Sequence, residues 1–145
     1  MPHDDFRFAV HDTVPPELAA IVDAGLDRSN SLFAPLGDVE PLACSSQLPD
    51  GRTIGGAIGR TWGTCCELQQ IWVDPEFRRT GVARRLLGDF EAKAKLRGCR
   101  TLYLETFSFQ CPNLYLDHGY EIALTIKGFP NGVEKHIMTL TLRPA

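Results

Sequence analysis

Arg78, Arg79, Gly81 and Arg84 fall within seven consecutive positions, and that combination suits an anion. Guanidinium groups pair with phosphate or carboxylate oxygens, and glycine lets the backbone approach them closely. The flanking segments must hold this turn in place. Before it, Glu67-Leu-Gln-Gln-Ile-Trp-Val73 has strand composition; after it, Val82, Leu86, Phe90 and Ala94 recur every four residues, with Ala83 and Leu87 beside them. Arg84, Arg85, Asp89 and Lys93 point elsewhere, and Gly98 closes the helix as its C-terminal cap. The first turn of a helix leaves backbone N–H groups unpaired and carries roughly half a positive charge. A strand, a glycine turn and a helix in this order therefore suggest an anion site suited to phosphate; the alternative is one of the many such units that bind nothing. No Gly-Lys-Ser/Thr follows the turn and no Gly-x-Gly-x-x-Gly occurs, which removes the Walker and dinucleotide-binding patterns.

Length and composition narrow the class. The 145 residues, 43% of them hydrophobic, suit one domain over 1–145. A net charge of −3 argues against a nucleic-acid partner, which calls for a strong positive surplus. The charge is unevenly placed: residues 78–100 hold eight Lys/Arg against two Asp/Glu, or +6, and the rest hold seven against sixteen, or −9. Lys93, Lys95, Arg97 and Arg100 read as a solvated helix face, whereas Arg78, Arg79 and Arg84 coincide with the cradle. Five cysteines without a Cys-x-x-Cys pair or metal-like spacing fit reduced thiols in a cytoplasm and no metal. The first residues show no basic-then-apolar signal, and no run approaches a membrane span. His3, His11, His118 and His136 are scattered and read as surface residues.

In order, residues 6–10 read as an opening strand, and Thr13, Pro15, Pro16 and Glu17 start a helix carrying Leu18, Ile21, Val22 and Leu26. Residues 27–41 read as a loop, either plain or holding a short helix. Residues 42–48 and 52–62 are strands joined by Pro49-Asp50-Gly51, where Gly55, Gly56 and Gly59 mark a bulge or a close backbone approach. Trp62-Gly63-Thr64 turns the chain into the strand that starts near Cys65. Residues 101–107 form the next strand, parallel to the one before the helix. Pro112 to Gly119 is a second helix, and residues 121–127 and 134–142 pair across Asn131-Gly132. The sum is an α/β domain of the mixed α+β kind, with about seven strands and helices on both faces. The final strand pair offers an edge at which a second copy could form a homodimer.

Arg78-x-x-Gly81-x-Ala83, following a strand that ends Val73-Asp-Pro75, resembles the GNAT superfamily of acyl-CoA-dependent N-acetyltransferases. A second segment is also similar: Ser108 stands where the family has Asn, Cys111 at its Ala, Tyr115 at its Tyr, and Gly119-Tyr120 at its Gly-Phe. The resemblance implies a fold in which the central parallel strands splay to admit acetyl-CoA. It implies backbone contacts to the pantetheine arm from Ile71, Trp72 and Val73, and a pyrophosphate cradle of Arg79, Thr80, Gly81, Val82, Ala83 and Arg84, with Arg78 part of the same clamp. The Asn-to-Ser change puts any cofactor contact of Ser108 in question.

Amide formation from an amine and a thioester needs a neutral amine, a stabilised oxyanion and a proton for the departing thiolate. Glu67 lies eleven residues before Arg78, the separation at which histone-acetylating members of the family place their basic glutamate. It would point into the cleft with Gln69 if no bulge intervenes. The other reading makes it a strand carboxylate facing solvent or a basic partner, with Glu105 on the neighbouring strand as the base. By resemblance Tyr115 protonates the thiolate; otherwise it packs against the sheet. The amide of Val73 is the oxyanion donor. Phe33 is either a wall of the acceptor pocket, as the resemblance implies, or a residue pinning its loop. Cys111 is an activated thiol or a small buried substitute for Ala. The expected activity is direct acetyl transfer to a primary amine in a ternary complex. The acceptor, a small molecule or a protein, cannot be read. The rivals are a non-catalytic acyl-CoA sensor or interaction module, and an unrelated anion-binding domain.

Overall fold

The computed structural model describes residues 5–144, so His3 lies outside the described residues. The backbone falls into two compact units, one ending at Leu36 and the other beginning at Gly37.

The first unit holds α1 (Pro16–Ser31), with Pro16 in the turn where a missing N–H costs nothing and Glu17 at the positive end. Pro15 occupies the cap position in place of Thr13, and no side chain caps the helix. The helix also runs through residues 27–31, expected as loop. Gly25 weakens a helix by only about 1 kcal/mol, and the last turn closes with the N–H groups of Phe33 and Ala34 on the Asn30 carbonyl, each at 3.0 Å. Residues 6–10 form no strand. Their alternation fits a pleat, but a strand exists only where a neighbouring ladder takes its backbone groups, and the ladder here begins later. Among the described residues the sheet has six strands, not about seven.

The second unit runs β1 (Glu40–Gln47), β2 (Thr53–Trp62), β3 (Cys65–Val73), α2 (Val82–Leu96), β4 (Thr101–Phe107), α3 (Pro112–Asp117), β5 (Glu121–Ile126) and β6 (Lys135–Thr141). The sheet order is β1-β2-β3-β4-β6-β5. Tight turns at Gly51 and Gly63, both at positive φ, make the first hairpins. Only β3 and β4 are parallel, because the chain returns through α2 before laying down β4. The apolar stripe of α2 buries Leu86, Leu87, Phe90 and Ala94 in one core with Cys66, Leu68, Leu102 and Leu104 of the sheet. The result is a mixed α+β fold.

Two irregularities open the centre of this sheet. The parallel ladder runs only from the Cys65 and Thr101 pair to the Leu68 and Leu104 pair; beyond it β3 stays with β2 and β4 stays with β6, so the central strands part. In addition, Ile58 lies opposite Gln70 but Gly59 opposite Leu68, which makes Gln69 the extra residue of a β-bulge. The inward face changes phase across it: Cys66 and Leu68 are buried before the bulge, Val73 after it. Gly59 allows this crowding, since a Cβ there would sit 1.9 Å from the Glu67 carbonyl oxygen and 2.7 Å from Phe90 Cζ.

Candidate active site

The turn before α2 is a set of unused donors. Arg79 at φ 62° and Gly81 at φ 89° both take the left-handed conformation, and α2 has neither a side-chain cap nor an acid in its first turn. Among the described residues no carbonyl accepts the N–H groups of positions 79–84; the first bond closing the helix is Arg85 N–H to the Gly81 carbonyl, 3.1 Å. Nothing lies within 4 Å of a Cβ placed on Gly81, so the space before these amides is open. A pyrophosphate fits such a cradle on donors alone. The side chains around it are partly engaged. Arg78 Nε donates to the Val73 carbonyl at 3.1 Å, Thr80 Oγ1 donates to the Phe77 carbonyl, and Arg84 pairs with Asp117 of α3 at 3.3 Å.

Strand geometry supplies the next donors. The Asp74 N–H bonds the Ile54 carbonyl at 2.7 Å, and in an antiparallel ladder every second residue faces the same partner. Trp72 and Gln70 therefore face β2 with Asp74. Ile71 and Val73 turn their N–H and C=O groups to the side that β4 has left, which is where Arg78 finds the Val73 carbonyl.

Two cavities open at the parting, of about 410 Å³ and about 390 Å³. Ile71, Trp72, Leu104 and Tyr115 line only the first, Glu67, Phe107 and Lys135 only the second. Leu68, Gln69, Gln70, Glu105, Thr106 and Gln110 line both. The bulge that sequence could not exclude is present, and it takes Gln69 out of phase with Glu67. Glu67 accepts Arg60 Nε at 3.0 Å and the Tyr103 hydroxyl at 3.2 Å. Arg60 and Glu67 face each other because the Gly63-Thr64 turn sets that register, a cross-strand signal present in the sequence. Glu105 makes one looser contact, 3.7 Å to Lys135 Nζ, and its side chain is 60% exposed.

Tyr115 is buried in the core, its ring set edge to face on Tyr120 at 5.7 Å. Burial, and secondarily Cys111, pushes its phenol up to about 12. The end of α3 is fastened to α2: Tyr120 donates to Glu91 at 3.2 Å and His118 Nδ1 lies 3.5 Å from the same oxygen. Burial raises Glu91. His118 and His136 are thus half-buried and partnered, the latter with Thr125, not plain surface residues. Ser108 ties β4 to the segment before β6, its Oγ accepting the Glu134 N–H at 3.0 Å. Cys111 is exposed, at φ 57°, so it is not a buried stand-in for Ala. Phe33 lies two residues past α1, in the first unit. Lys135, Gln110 and Gln70 carried no sequence signal; β6 and the bulge bring them to the cavities.

No helix among the described residues is long and apolar enough to cross a membrane, and none of their His, Cys, Asp and Glu residues group to hold a metal.

A parallel pair parting beside a helix-start cradle is the architecture of an acyltransferase. The chain belongs to the Acetyltransferase (GNAT) family, which it matches over residues 18–120. It is 30% identical over 138 residues to a blasticidin-S acetyltransferase of Streptomyces morookaense, covering 88% of this chain and 97% of that protein. Its fold superposes on an acetyltransferase from Bacillus cereus with a TM-score of 0.79 at 24% identity, over 92% of this chain and 98% of the other. An aminoglycoside 6'-N-acetyltransferase complexed with coenzyme A superposes with a TM-score of 0.63 at 19% identity, over 94% and 97%. The protein is an acyltransferase that moves an acetyl group to an amine, and the donor used by its family is acetyl-CoA.

Proposed function

We propose that residues 1–145 form one acetyltransferase domain of the cytoplasm that passes the acetyl group of acetyl-CoA directly to a primary amine of a small molecule. The observation that carries this reading is the junction of two cavities where β3 and β4 part, one lined along β3 by Ile71 and Trp72 and the other by Glu67 and Lys135. Both substrates then meet in a ternary complex. The small-molecule acceptor is favoured by the blasticidin-S acetyltransferase, whose length this chain nearly matches. The five free thiols suit a reducing compartment, and the β5 edge of the sheet is open to a second copy.

The bound thioester supplies an activated acyl carbon and a thiolate leaving group. The amides of positions 79–84, with Arg79 and Arg84, hold the pyrophosphate, Gly81 keeps their approach clear, and Ile71 and Trp72 line the pantetheine path. The Val73 N–H faces the gap and donates to the carbonyl oxygen as charge builds there. Arg78, bound to the Val73 carbonyl, fixes that peptide, and Ser108 acts as a strut. Glu105 accepts the amine proton in preference to Glu67, because Arg60 and Tyr103 already occupy the Glu67 carboxylate.

Tyr115 keeps its proton throughout the neutral range. A phenol held near 12 is a weaker acid than a thiol, so full transfer to the thiolate is uphill and the hydroxyl stabilises the sulfur charge by donating a hydrogen bond as the C–S bond breaks. The thiolate takes its proton from solvent. Calorimetric titration with acetyl-CoA, on the native chain and on Gly81→Trp, tests the donor site, and CoA release with blasticidin S as first acceptor tests the transfer. Binding weaker by on the order of 100-fold in Gly81→Trp is expected; no binding to the native chain at millimolar ligand would overturn the reading.

A further inference from the structure

Resting on that reading, we propose that Lys135 recognises a carboxylate on the acceptor, so that the acceptor is an amino-carboxylate with its reacting amine and its carboxylate a few bonds apart. Lys135 lies opposite Phe107 in the β4 and β6 pairing. Its Nζ is 5.0 Å from the Phe107 ring centre and 5.7 Å from that of Phe129, two rings set edge to face. Ring faces attract an ammonium but offer its N–H groups no lone pair. The Glu105 oxygen at 3.7 Å is beyond hydrogen-bond distance. Among the described residues no oxygen therefore accepts a hydrogen bond from Lys135, although the side chain is 27% exposed and lines the second cavity. A half-sheltered ammonium with unmet donors is a receptor for an anionic oxygen.

The neighbours decide which anion. Glu67 and Glu105 line the same cavity, so a phosphate carrying nearly two charges would be repelled twice, whereas a carboxylate brings a single charge. Arg60 answers Glu67 and Lys135 answers Glu105, and these four charges sum to zero. A zwitterion leaves that balance intact; a simple ammonium adds a charge that nothing compensates. Position sets the order of the two groups. Glu105 lines both cavities and Lys135 only the second, so the amine sits at the junction and the carboxylate extends outward.

The test uses L-arginine, L-phenylalanine and β-alanine, each beside its carboxamide, with CoA release read as kcat/KM on the native chain, Lys135→Met and Lys135→Arg. The acids are expected to exceed the amides by on the order of 30-fold, carried by KM. Amidation lowers the amine pKa and leaves more of it neutral, so amine reactivity alone would favour the amides. Lys135→Met should bring the ratio near one without changing acetyl-CoA affinity, and Lys135→Arg should keep the preference. Amides used as well as acids, a preference that survives Lys135→Met, or acceptance of none of the acids would overturn the proposal. If the native chain fails to bind acetyl-CoA, the donor reading falls separately. Calorimetric binding of the same acids and amides to native and Lys135→Met chains then decides the carboxylate site without the donor, and equal affinities would overturn it.

Discussion

The turn before α2 and the parting of β3 from β4 are adjacent along the chain but made of different material. The turn offers main-chain N–H groups, and position 81 favours glycine for its backbone conformation, φ 89°, rather than for space. The parting offers side chains, each from a different element: Glu67 from β3, Glu105 from β4, Tyr115 from α3 and Lys135 from β6. A backbone site survives most changes of sequence, because every residue carries the same amide. A side-chain site can change its substrate one position at a time, which suits a family whose donor is common and whose acceptors differ.

The strongest way to break this contrast is Gly59→Ala, beside Glu67 and Leu68 of the cavity lining. The new Cβ would overlap the Glu67 carbonyl and Phe90 at once, so the bulge or α2 must move. A loss of about 3 kcal/mol in urea unfolding is expected, and a variant of native stability and activity would show that Gly59 does not hold the bulge. Next in size is Gly81→Trp, with an acetyl-CoA affinity on the order of 100-fold weaker, about 2.7 kcal/mol. Gly81→Ala meets open space and should lose far less affinity. Thermal melts of both variants gauge the common penalty of a side chain at φ 89°.

Within the side-chain region, Glu105→Gln should lower kcat/KM about 100-fold and Glu67→Gln about 10-fold or less. The reverse order would return the base to Glu67. Tyr115→Phe keeps the ring packed on Tyr120, so kcat should fall roughly 10-fold with KM for acetyl-CoA little changed. The same variant sharpens a pH effect. Burial raises this phenol from 10.0 to about 12 in the folded chain, so both states are protonated below that window and only the unfolded chain ionises within it. Stability then falls as pH rises through the window, by up to about 2–3 kcal/mol. Denaturant midpoints at about pH 9 and about pH 11 should diverge less in Tyr115→Phe. Tyr103 and Tyr120, also raised by burial, leave a remainder. An unchanged slope would mean that Tyr115 is not sheltered.

Much of the fold is legible in the sequence. The α2 stripe, its start at Gly81 and end at Gly98, the parallel crossover into β4 and the hairpin at Gly51 follow from periodicity and turn chemistry, which act within a few residues. The seventh strand at residues 6–10 is not realised, because composition describes a segment and a ladder requires a partner. The bulge at Gln69 is not fixed for a similar reason: the paired letters Gln69-Gln70 break the two-residue alternation between Leu68 and Ile71, but only the Gly59 contact with Glu67 and Phe90 shows that the register slips there.

By itself the sequence determined one side of the cleft, the order of strand, glycine turn and helix start that leaves backbone amides open, since such patterning acts within a few residues. The tertiary structure alone decided the other side: that Glu67 is held by Arg60 and Tyr103 while Glu105 is only loosely held, and that Lys135 comes to face them from β6. Those relations join positions up to 68 residues apart. They depend on sheet order, register and one extra residue in β3, quantities that local patterning does not encode.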